Sequence, residues 1–116
     1  MPTLVYAPGG GLRLAIGAAG GATIPAQVVK AIIGVIDWRL SAQEAIDLPL
    51  IFAPGGNAVF IEAGSRLEAM APALQALGHA VVTPRVMPLK ANAIEVVDGE
   101  LRGAADPRSE GRSVAE

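Results

Sequence analysis

The sequence has 116 residues, with 9 Lys and Arg against 11 Asp and Glu, one His and no Cys. This length accommodates one small domain or a part of a larger one. A net charge of −2 provides no field that attracts nucleic acid, and the lack of Cys excludes disulfides and thiolate zinc sites. The charge-free stretch between Arg13 and Lys30 is too short and too rich in Gly for a membrane span. Since Arg13 is also the first charged residue, the N-terminus lacks the basic start of a signal peptide.

Apolar and charged residues are unevenly distributed. Hydrophobic residues make up 52% of the chain and charged residues 17%, yet only Arg13 and Lys30 are charged within residues 1–36. By contrast, charged residues are frequent from Asp98 onwards. This distribution predicts that the first third is covered by other residues and that residues 107–116 form a solvated tail.

The first predicted elements are two strands joined by a tight turn. Thr3–Tyr6 and Leu12–Ile16 are short apolar runs, and the residues between them include Pro8 and three consecutive glycines. Such punctuation is typical of a hairpin. The glycine-rich segment Gly17–Gly21 follows and predicts a tight loop that leads into a helix.

The predicted helix covers Ile24–Trp38, with Thr23 as its N-cap and Pro25 in the first turn. Apolar residues occupy most of its circumference, which predicts a helix that is buried on most sides. The few polar or very small positions form one narrow stripe that we expect to face solvent: Gln27, Lys30, Gly34 and Asp37.

The remaining pattern predicts two short helices and two pairs of strands, which makes the fold class α+β. One helix begins at the capping box Ser41–Glu44 and ends before Pro49. The other begins at the capping box Ser65–Glu68 and ends at Gly78, and its Pro72 must lie early or kink it. The predicted strands are Val59–Glu62, Ala80–Thr83, Ala93–Val97 and Leu101–Ala105, the last two joined by Asp98-Gly99.

Few residues offer chemistry for catalysis. His79 is the single histidine and follows a helix-ending glycine directly, a position typical of a surface or capping histidine. A complete hydrolase that uses a Ser or Thr with His79 as its base remains an alternative. No spacing of His or carboxylates indicates a metal site.

The segment Gly17–Gly21 is the feature with the clearest physical argument. Glycines between a strand and a helix allow a tight turn whose free N–H groups can point at an anion or a developing oxyanion. A P-loop is disfavoured because Ala22-Thr23 stands where Lys-Ser/Thr would be needed, and a dinucleotide site because Asp37 lies at a helix end. A tight structural turn, an oxyanion hole and a stand-alone anion-binding module remain open.

A family resemblance extends over nearly the whole chain. It rests on a series of short segments in a fixed order: Pro2-Thr3-Leu4-Val5, Gly17-Ala18-Ala19-Gly20-Gly21, Val35-Ile36-Asp37, Ser41 to Ile46, Gly78-His79 and Gly103-Ala104-Ala105-Asp106-Pro107-Arg108. In these segments the sequence resembles the C-terminal part of the small subunit of gamma-glutamyltransferases.

The resemblance implies a partial N-terminal-nucleophile hydrolase sandwich, in which helix layers enclose two sheets (αββα) and this chain contributes only the C-terminal strands and helices. It implies amide cleavage and transfer of gamma-glutamyl groups from donors such as glutathione, without a cofactor or metal. By the same resemblance Gly20 and Gly21 are the oxyanion-hole residues, acting through their backbone N–H groups, although Ala18-Ala19 replaces the family's Ser-Pro pair. A periplasmic or extracellular location is also implied.

The family's nucleophile is an N-terminal Thr that lies before the matched segment. Thr3 does not replace it, because removal of Met1 would make Pro2 the N-terminus. We therefore expect residues 1–116 to be a C-terminal fragment, inactive alone. Its expected partner is the upstream part of the enzyme, meaning the large subunit and the start of the small subunit. The related cephalosporin and glutaryl acylases share this architecture and remain an alternative, as does a module for subunit interaction.

Overall fold

A computed structural model describes residues 2–115, which divide into two units with one sheet each. In chain order the strands are β1 (Thr3–Tyr6), β2 (Leu12–Ala19), β3 (Ile51–Gly55), β4 (Ala58–Glu62), β5 (Val81–Arg85), β6 (Lys90–Val97) and β7 (Glu100–Ala105). The helices are α1 (Ile24–Ile36), α2 (Ala42–Asp47) and α3 (Leu67–Ala76). This arrangement of two sheets and helices confirms the predicted α+β class.

The first unit comprises residues 2–48 and 88–115 and contains an antiparallel sheet in the order β1-β2-β6-β7. Burial alternates along its strands, so that Leu14, Ile16 and Ala93 face the core with α1 and α2. On the opposite face Ile94 is 47% exposed. The predicted hairpin turn between β6 and β7 is present, with positive φ at both Asp98 and Gly99.

Helix α1 buries two of the four residues in the stripe that was expected to face solvent. Gln27 is 2% exposed, and Gly34 is buried so closely against α2 that an added Cβ would come within 2.6 Å of the Ala45 Cβ. By contrast, Val29 and Ile36 are exposed. The prediction was wrong for Gln27 and Gly34, because a small residue permits close helix packing and a buried amide can be satisfied by backbone groups. Apolar residues are thereby left on the outer side of α1.

The end of α1 and the start of α2 are both closed by local hydrogen bonds. Arg39 adopts the left-handed conformation with φ 56°, and the Leu40 N–H donates to the Gly34 carbonyl, so α1 ends two residues before the predicted Trp38. The predicted capping box of α2 is present, with the Glu44 N–H donating to Ser41 Oγ and the Ser41 N–H donating to Glu44 Oε1, both at 3.1 Å. The Ser41 N–H, and secondly the Ser41 side chain, stabilise the ionised carboxylate and lower the pKa of Glu44.

The second unit comprises residues 49–87, where β4 pairs with β3 antiparallel and with β5 parallel, and α3 connects β4 to β5. Strand β3 has no counterpart among the predicted elements. The capping box predicted at Ser65 is not formed: Glu68 Oε1 accepts from the Gly64 N–H at 2.9 Å, and Ser65 Oγ donates to the Glu62 carbonyl. Pro72 lies inside α3.

The residues after β7 begin with a tightly bonded turn. Asp106 is 2% exposed, and its Oδ1 accepts from the Arg108 N–H at 2.8 Å and from the Arg108 guanidinium at 3.1 Å. The guanidinium also donates to carbonyls at the end of α2, including that of Asp47 at 2.9 Å. Residues 112–115 are exposed, and Ser113 lies against Gly103. Within the range expected to be a solvated tail, Arg108 is therefore held in place.

Candidate functional site

The glycine turn, which we define as residues 20–23, connects β2 to α1. The sequence predicted a loop from Gly17 to Gly21, but the first three of those residues belong to β2, which pairs with β6 as far as Ala19 opposite Lys90. The chain then turns at Gly20, forms one 3₁₀ turn over Gly21–Thr23 and enters α1. Ala18 and Ala19 thus belong to the strand, and the turn is shorter than predicted.

Gly20 has a backbone conformation that requires glycine. Its φ is 132° and its ψ is 19°, and an added Cβ would lie 2.1 Å from the Pro88 carbonyl oxygen. A ψ near zero places the nitrogens of Gly20 and Gly21 on the same side of the Gly20 Cα–C bond. The two N–H groups are therefore neighbours.

Two buried side chains, those of Thr23 and Gln27, hold the carbonyl groups of Ala19 and Gly20. The Ala19 carbonyl accepts from Gln27 Nε2 at 2.9 Å, and the Gly20 carbonyl accepts from Thr23 Oγ1 at 3.0 Å. Gln27 Nε2 also donates to Thr23 Oγ1 at 2.9 Å, and Gln27 Oε1 accepts from the Lys90 N–H at 2.9 Å. Thr23 occupies the predicted N-cap position of α1, but its side chain makes no capping bond, because its hydroxyl is used for Gly20.

The geometry of the peptide bond then directs the N–H groups. In a trans peptide the N–H points opposite to the C=O of the same unit. Since the Ala19 and Gly20 carbonyls point at Gln27 and Thr23, the N–H groups of Gly20 and Gly21 point away from that buried pair. Within residues 2–115 neither N–H is a donor in a hydrogen bond, and Gly21 is exposed.

Two adjacent, unbonded N–H groups at a helix start can bind one anionic oxygen. Such donors stabilise a tetrahedral intermediate because they are already oriented when its negative charge develops. They do not break a bond, which requires a nucleophile and a base as well. No group of three or more His, Asp or Glu side chains in the described part of the chain is arranged to hold a metal ion.

The other candidate residues belong to elements other than the glycine turn. His79 belongs to the second unit, where it is exposed just after α3 and its backbone N–H donates to the Leu74 carbonyl. Thr3 lies in β1, opposite Ile16. None of the three helices between residues 2 and 115 combines the length and the apolar character needed to cross a bilayer.

Sequence analysis missed the two residues that hold the turn. Gln27 was assigned to a solvent-facing stripe and Thr23 to a helix cap. A usable signal was present, because Thr23 and Gln27 are four residues apart and such positions face each other on a helix. The interruption of an apolar helix by one amide side chain directly after a glycine turn could have indicated a bond to that turn.

Comparison with known sequences found a matching family and similar proteins. The sequence model of the family described as Gamma-glutamyltranspeptidase matches residues 1–116. The chain is also 42% identical over 108 residues to the Acylase ACY 1 proenzyme of Pseudomonas sp. (strain SE83). That match covers 91% of this chain and 19% of the proenzyme, so the chain spans about a fifth of this relative's length.

Solved structures show the same fold. The gamma-glutamyltranspeptidase of Helicobacter pylori superimposes with a TM-score of 0.80 at 29% identity, covering 94% of this chain and 60% of the other. The enzyme of Pseudomonas nitroreducens gives a TM-score of 0.82 at 22% identity, covering 100% and 61%. A cephalosporin acylase from Bacillus halodurans gives a TM-score of 0.74 at 25% identity, covering 88% and 20%.

Proposed function

Because this chain belongs to the gamma-glutamyltranspeptidase family, we propose that it supplies the oxyanion-binding part of an enzyme that cleaves and transfers gamma-glutamyl amides. The observation that carries the proposal is the glycine turn, where the N–H groups of Gly20 and Gly21 are adjacent, unbonded and directed away from the buried side chains. This is the geometry that an acyl-transfer intermediate requires.

In the proposed reaction a nucleophile outside residues 1–116 attacks the carbonyl carbon of a gamma-glutamyl amide. The carbonyl oxygen becomes an oxyanion, which the N–H groups of Gly20 and Gly21 bind. Collapse of the intermediate releases the amine and leaves an acyl-enzyme, and water or an amine then accepts the acyl group. The nucleophile, and the groups that recognise the glutamyl amino and carboxylate groups, come from the upstream part of the enzyme.

The chain alone is then inactive. Donors for an oxyanion contribute on the order of 10²- to 10³-fold to an acyl transfer, but only when another group has positioned and attacked the substrate. In this reading the partner of the chain is the remainder of its own enzyme, and glutathione-like gamma-glutamyl compounds are the donors.

A test replaces the matching segment of the Pseudomonas acylase proenzyme by this chain, a chimaera favoured by 42% identity over 108 residues. The isolated chain, the chimaera and the unmodified acylase are assayed with chromogenic gamma-glutamyl and glutaryl anilides. We expect no turnover by the isolated chain, and we expect the chimaera to turn over each anilide that the unmodified acylase turns over. Turnover by the isolated chain, or a well-folded chimaera that turns over none of the acylase's anilides, would contradict the proposal.

A variant pair separates the donor from the fold. Glycolic acid in place of Gly21 exchanges the amide for an ester, which removes the N–H without fixing φ, and should reduce kcat of the chimaera by about 10²-fold or more. Gly21→Ala keeps the N–H, and an added Cβ meets nothing within 4 Å, so it should retain most of the activity despite the positive φ of 64°. Circular dichroism checks that both variants are folded. Equal kcat for the two variants would contradict a role for this donor.

A second candidate substrate class is an acyl amide that lacks the glutamyl amino group. The observation that favours it is the identity to the acylase proenzyme, which at 42% exceeds the identities to the gamma-glutamyltranspeptidase structures described above. Both classes use the same oxyanion chemistry. Comparing kcat/KM for gamma-glutamyl and glutaryl anilides in the natural full-length enzyme distinguishes them, because only the first carries the alpha-amino group.

A further inference from the structure

Gln27 occupies a position where every polar atom of its side chain is committed to the glycine turn or its surroundings. The residue is 2% exposed. Its Nε2 donates to the Ala19 carbonyl and to Thr23 Oγ1, and its Oε1 accepts from the N–H of Lys90 at the start of β6. One amide therefore ties together the end of β2, the start of β6 and the first turn of α1.

The bonds of Gln27 to the turn continue through Thr23. With its hydroxyl accepting from Gln27, Thr23 donates its own proton to the Gly20 carbonyl at 3.0 Å. The two side chains thus hold two consecutive carbonyls, those of Ala19 and Gly20. Each carbonyl fixes the direction of the N–H in its peptide unit, since the unit is planar and trans.

We infer that Gln27 and Thr23 are positioning residues that orient the N–H groups of Gly20 and Gly21 towards the oxyanion. The inference rests on the proposed function for what those groups bind, but not for how they are oriented. Gln27 and Thr23 do not touch the substrate. They act by keeping two donors aligned before charge develops, so that no reorientation is needed during the reaction.

The chain offers a matched control in Gln43 on α2. Gln43 Nε2 donates to the Ala105 carbonyl at 2.8 Å, and its Oε1 accepts from the Ala105 N–H at 3.1 Å. This amide also joins a helix to a strand of the four-stranded sheet, but at β7. Gln43→Met and Gln27→Met remove comparable hydrogen bonds from the same unit, and only Gln27→Met releases the glycine turn.

The first experiment measures residual dipolar couplings of backbone N–H bonds in the full 116-residue chain, labelled with ¹⁵N. Gln27→Met and Thr23→Val should change the couplings of Gly20 and Gly21 and leave those of Leu14 and Ile16 in β2 unchanged. Gln43→Met should leave Gly20 and Gly21 unchanged, and Thr23→Ser, which keeps the hydroxyl, should restore the native values. Native couplings at both glycines in folded Gln27→Met and Thr23→Val would overturn the inference.

The second experiment measures kcat and KM of the chimaera with an acyl anilide that it turns over. Gln27→Met should lower kcat by about 10²-fold with little change in KM, because the oxyanion exists only beyond the ground state. Thr23→Val should lower kcat by about 10-fold and Thr23→Ser should not, while Gln43→Met should keep the native kcat. A native kcat in Gln27→Met would overturn the inference and leave the proposed function standing.

The two experiments fail separately. If the native chimaera is folded and has no activity, the proposed function fails, and the dipolar couplings alone decide whether Gln27 and Thr23 orient the donors. If Gln27→Met does not fold, the pair Thr23→Val and Thr23→Ser decides both experiments, since Thr23→Val replaces the hydroxyl by a methyl group and Thr23→Ser keeps the hydroxyl and loses the methyl group. A loss shared by Thr23→Val and Thr23→Ser would count against the inference.

Discussion

Two turns leave the four-stranded sheet after β2 and β7, the strands on either side of β6, and their backbone groups are satisfied in opposite ways. The turn after β2 begins at Gly20, and the turn after β7 begins at Asp106. Both lie beside nearly fully buried polar side chains, since Gln27 and Asp106 are each 2% exposed. At Gly20 the side chains of Gln27 and Thr23 accept no backbone N–H of the turn. They donate instead to the carbonyls of Ala19 and Gly20.

At Asp106 the buried side chain accepts hydrogen bonds, from the backbone N–H and the guanidinium of Arg108. Its carboxylate accepts from the Arg108 N–H, and its own carbonyl accepts from the Ser109 N–H at 3.1 Å. The Arg108 guanidinium then binds carbonyls at the end of α2, among them that of Leu48 at 3.1 Å. The N–H groups of Arg108 and Ser109 are thus both bonded, and this turn joins β7 to α2.

The difference shows how one sheet can carry a structural turn and a candidate catalytic turn. An acidic side chain in a turn accepts hydrogen bonds, so it binds N–H groups of the turn. An amide and a hydroxyl group can both donate, so they bind carbonyl groups and leave the N–H groups unbonded. The chemistry of a turn therefore depends on which half of its peptide groups the buried side chains bind, as well as on its glycines.

The largest expected effect is that of adding a side chain at Gly20 in the glycine turn. Gly20→Ala would place a Cβ 2.1 Å from the Pro88 oxygen at a φ of 132°. We expect a loss of about 4 kcal/mol in the free energy of unfolding, from backbone displacement and strain. Urea unfolding measures it, with Gly11→Ala as the control, where an added Cβ meets nothing within 4 Å. A loss under about 1 kcal/mol would show that the turn is not constrained as described.

The next effect concerns the Asp106 turn. Asp106→Ala removes the acceptor of the Arg108 N–H and half of a largely buried ion pair, whose side chains are 22% and 2% exposed for Arg108 and Asp106. We expect a loss of about 3 kcal/mol in the free energy of unfolding. The control is Glu100→Ala, which breaks the exposed pair with Arg102 and should cost less than about 1 kcal/mol. Equal losses would contradict the closed turn.

The smallest effect is a pH dependence at the start of α2, where N–H groups are again taken by side chains. Because the pKa of Glu44 is lowered in the folded state, its stabilising contribution is present above the ordinary value and is lost as the pH falls through the folded value. Glu44→Gln should therefore reduce the stability difference between pH 7 and pH 3. Measuring urea midpoints at both pH values tests this, and an unchanged difference would contradict the capping role of the carboxylate.

Sequence analysis succeeded where one local rule decides the structure. Asp98-Gly99 predicted a turn with two positive φ values, and Ser41 with Glu44 predicted a capping box; both are present. The assignment of Gly20 and Gly21 as oxyanion donors stays a prediction. Their conformation, however, was anticipated from the glycine pattern at a strand-to-helix junction.

The failures occurred where long-range contacts override a local pattern. Gln27 belonged to the polar stripe of α1, yet its partner Lys90 is 63 residues away and no local rule reports it. Gly34 is buried because Ala45 packs against it, which the periodicity of α1 alone does not contain. Strand β3 includes Pro54 and Gly55, residues that are depleted in strands, and its pairing with β4 decides its conformation.

The most direct test of the central claim is amide hydrogen exchange of the full chain, read residue by residue by NMR. The account predicts that Gly20 and Gly21 exchange within about tenfold of the rate for an unstructured peptide, because their N–H groups are unbonded. Arg108 and Ser109, whose N–H groups are bonded to Asp106, should be slower by about 100-fold or more. Protection of Gly20 and Gly21 equal to that of Arg108 would show that the donors are already occupied, and would contradict their assignment to an oxyanion.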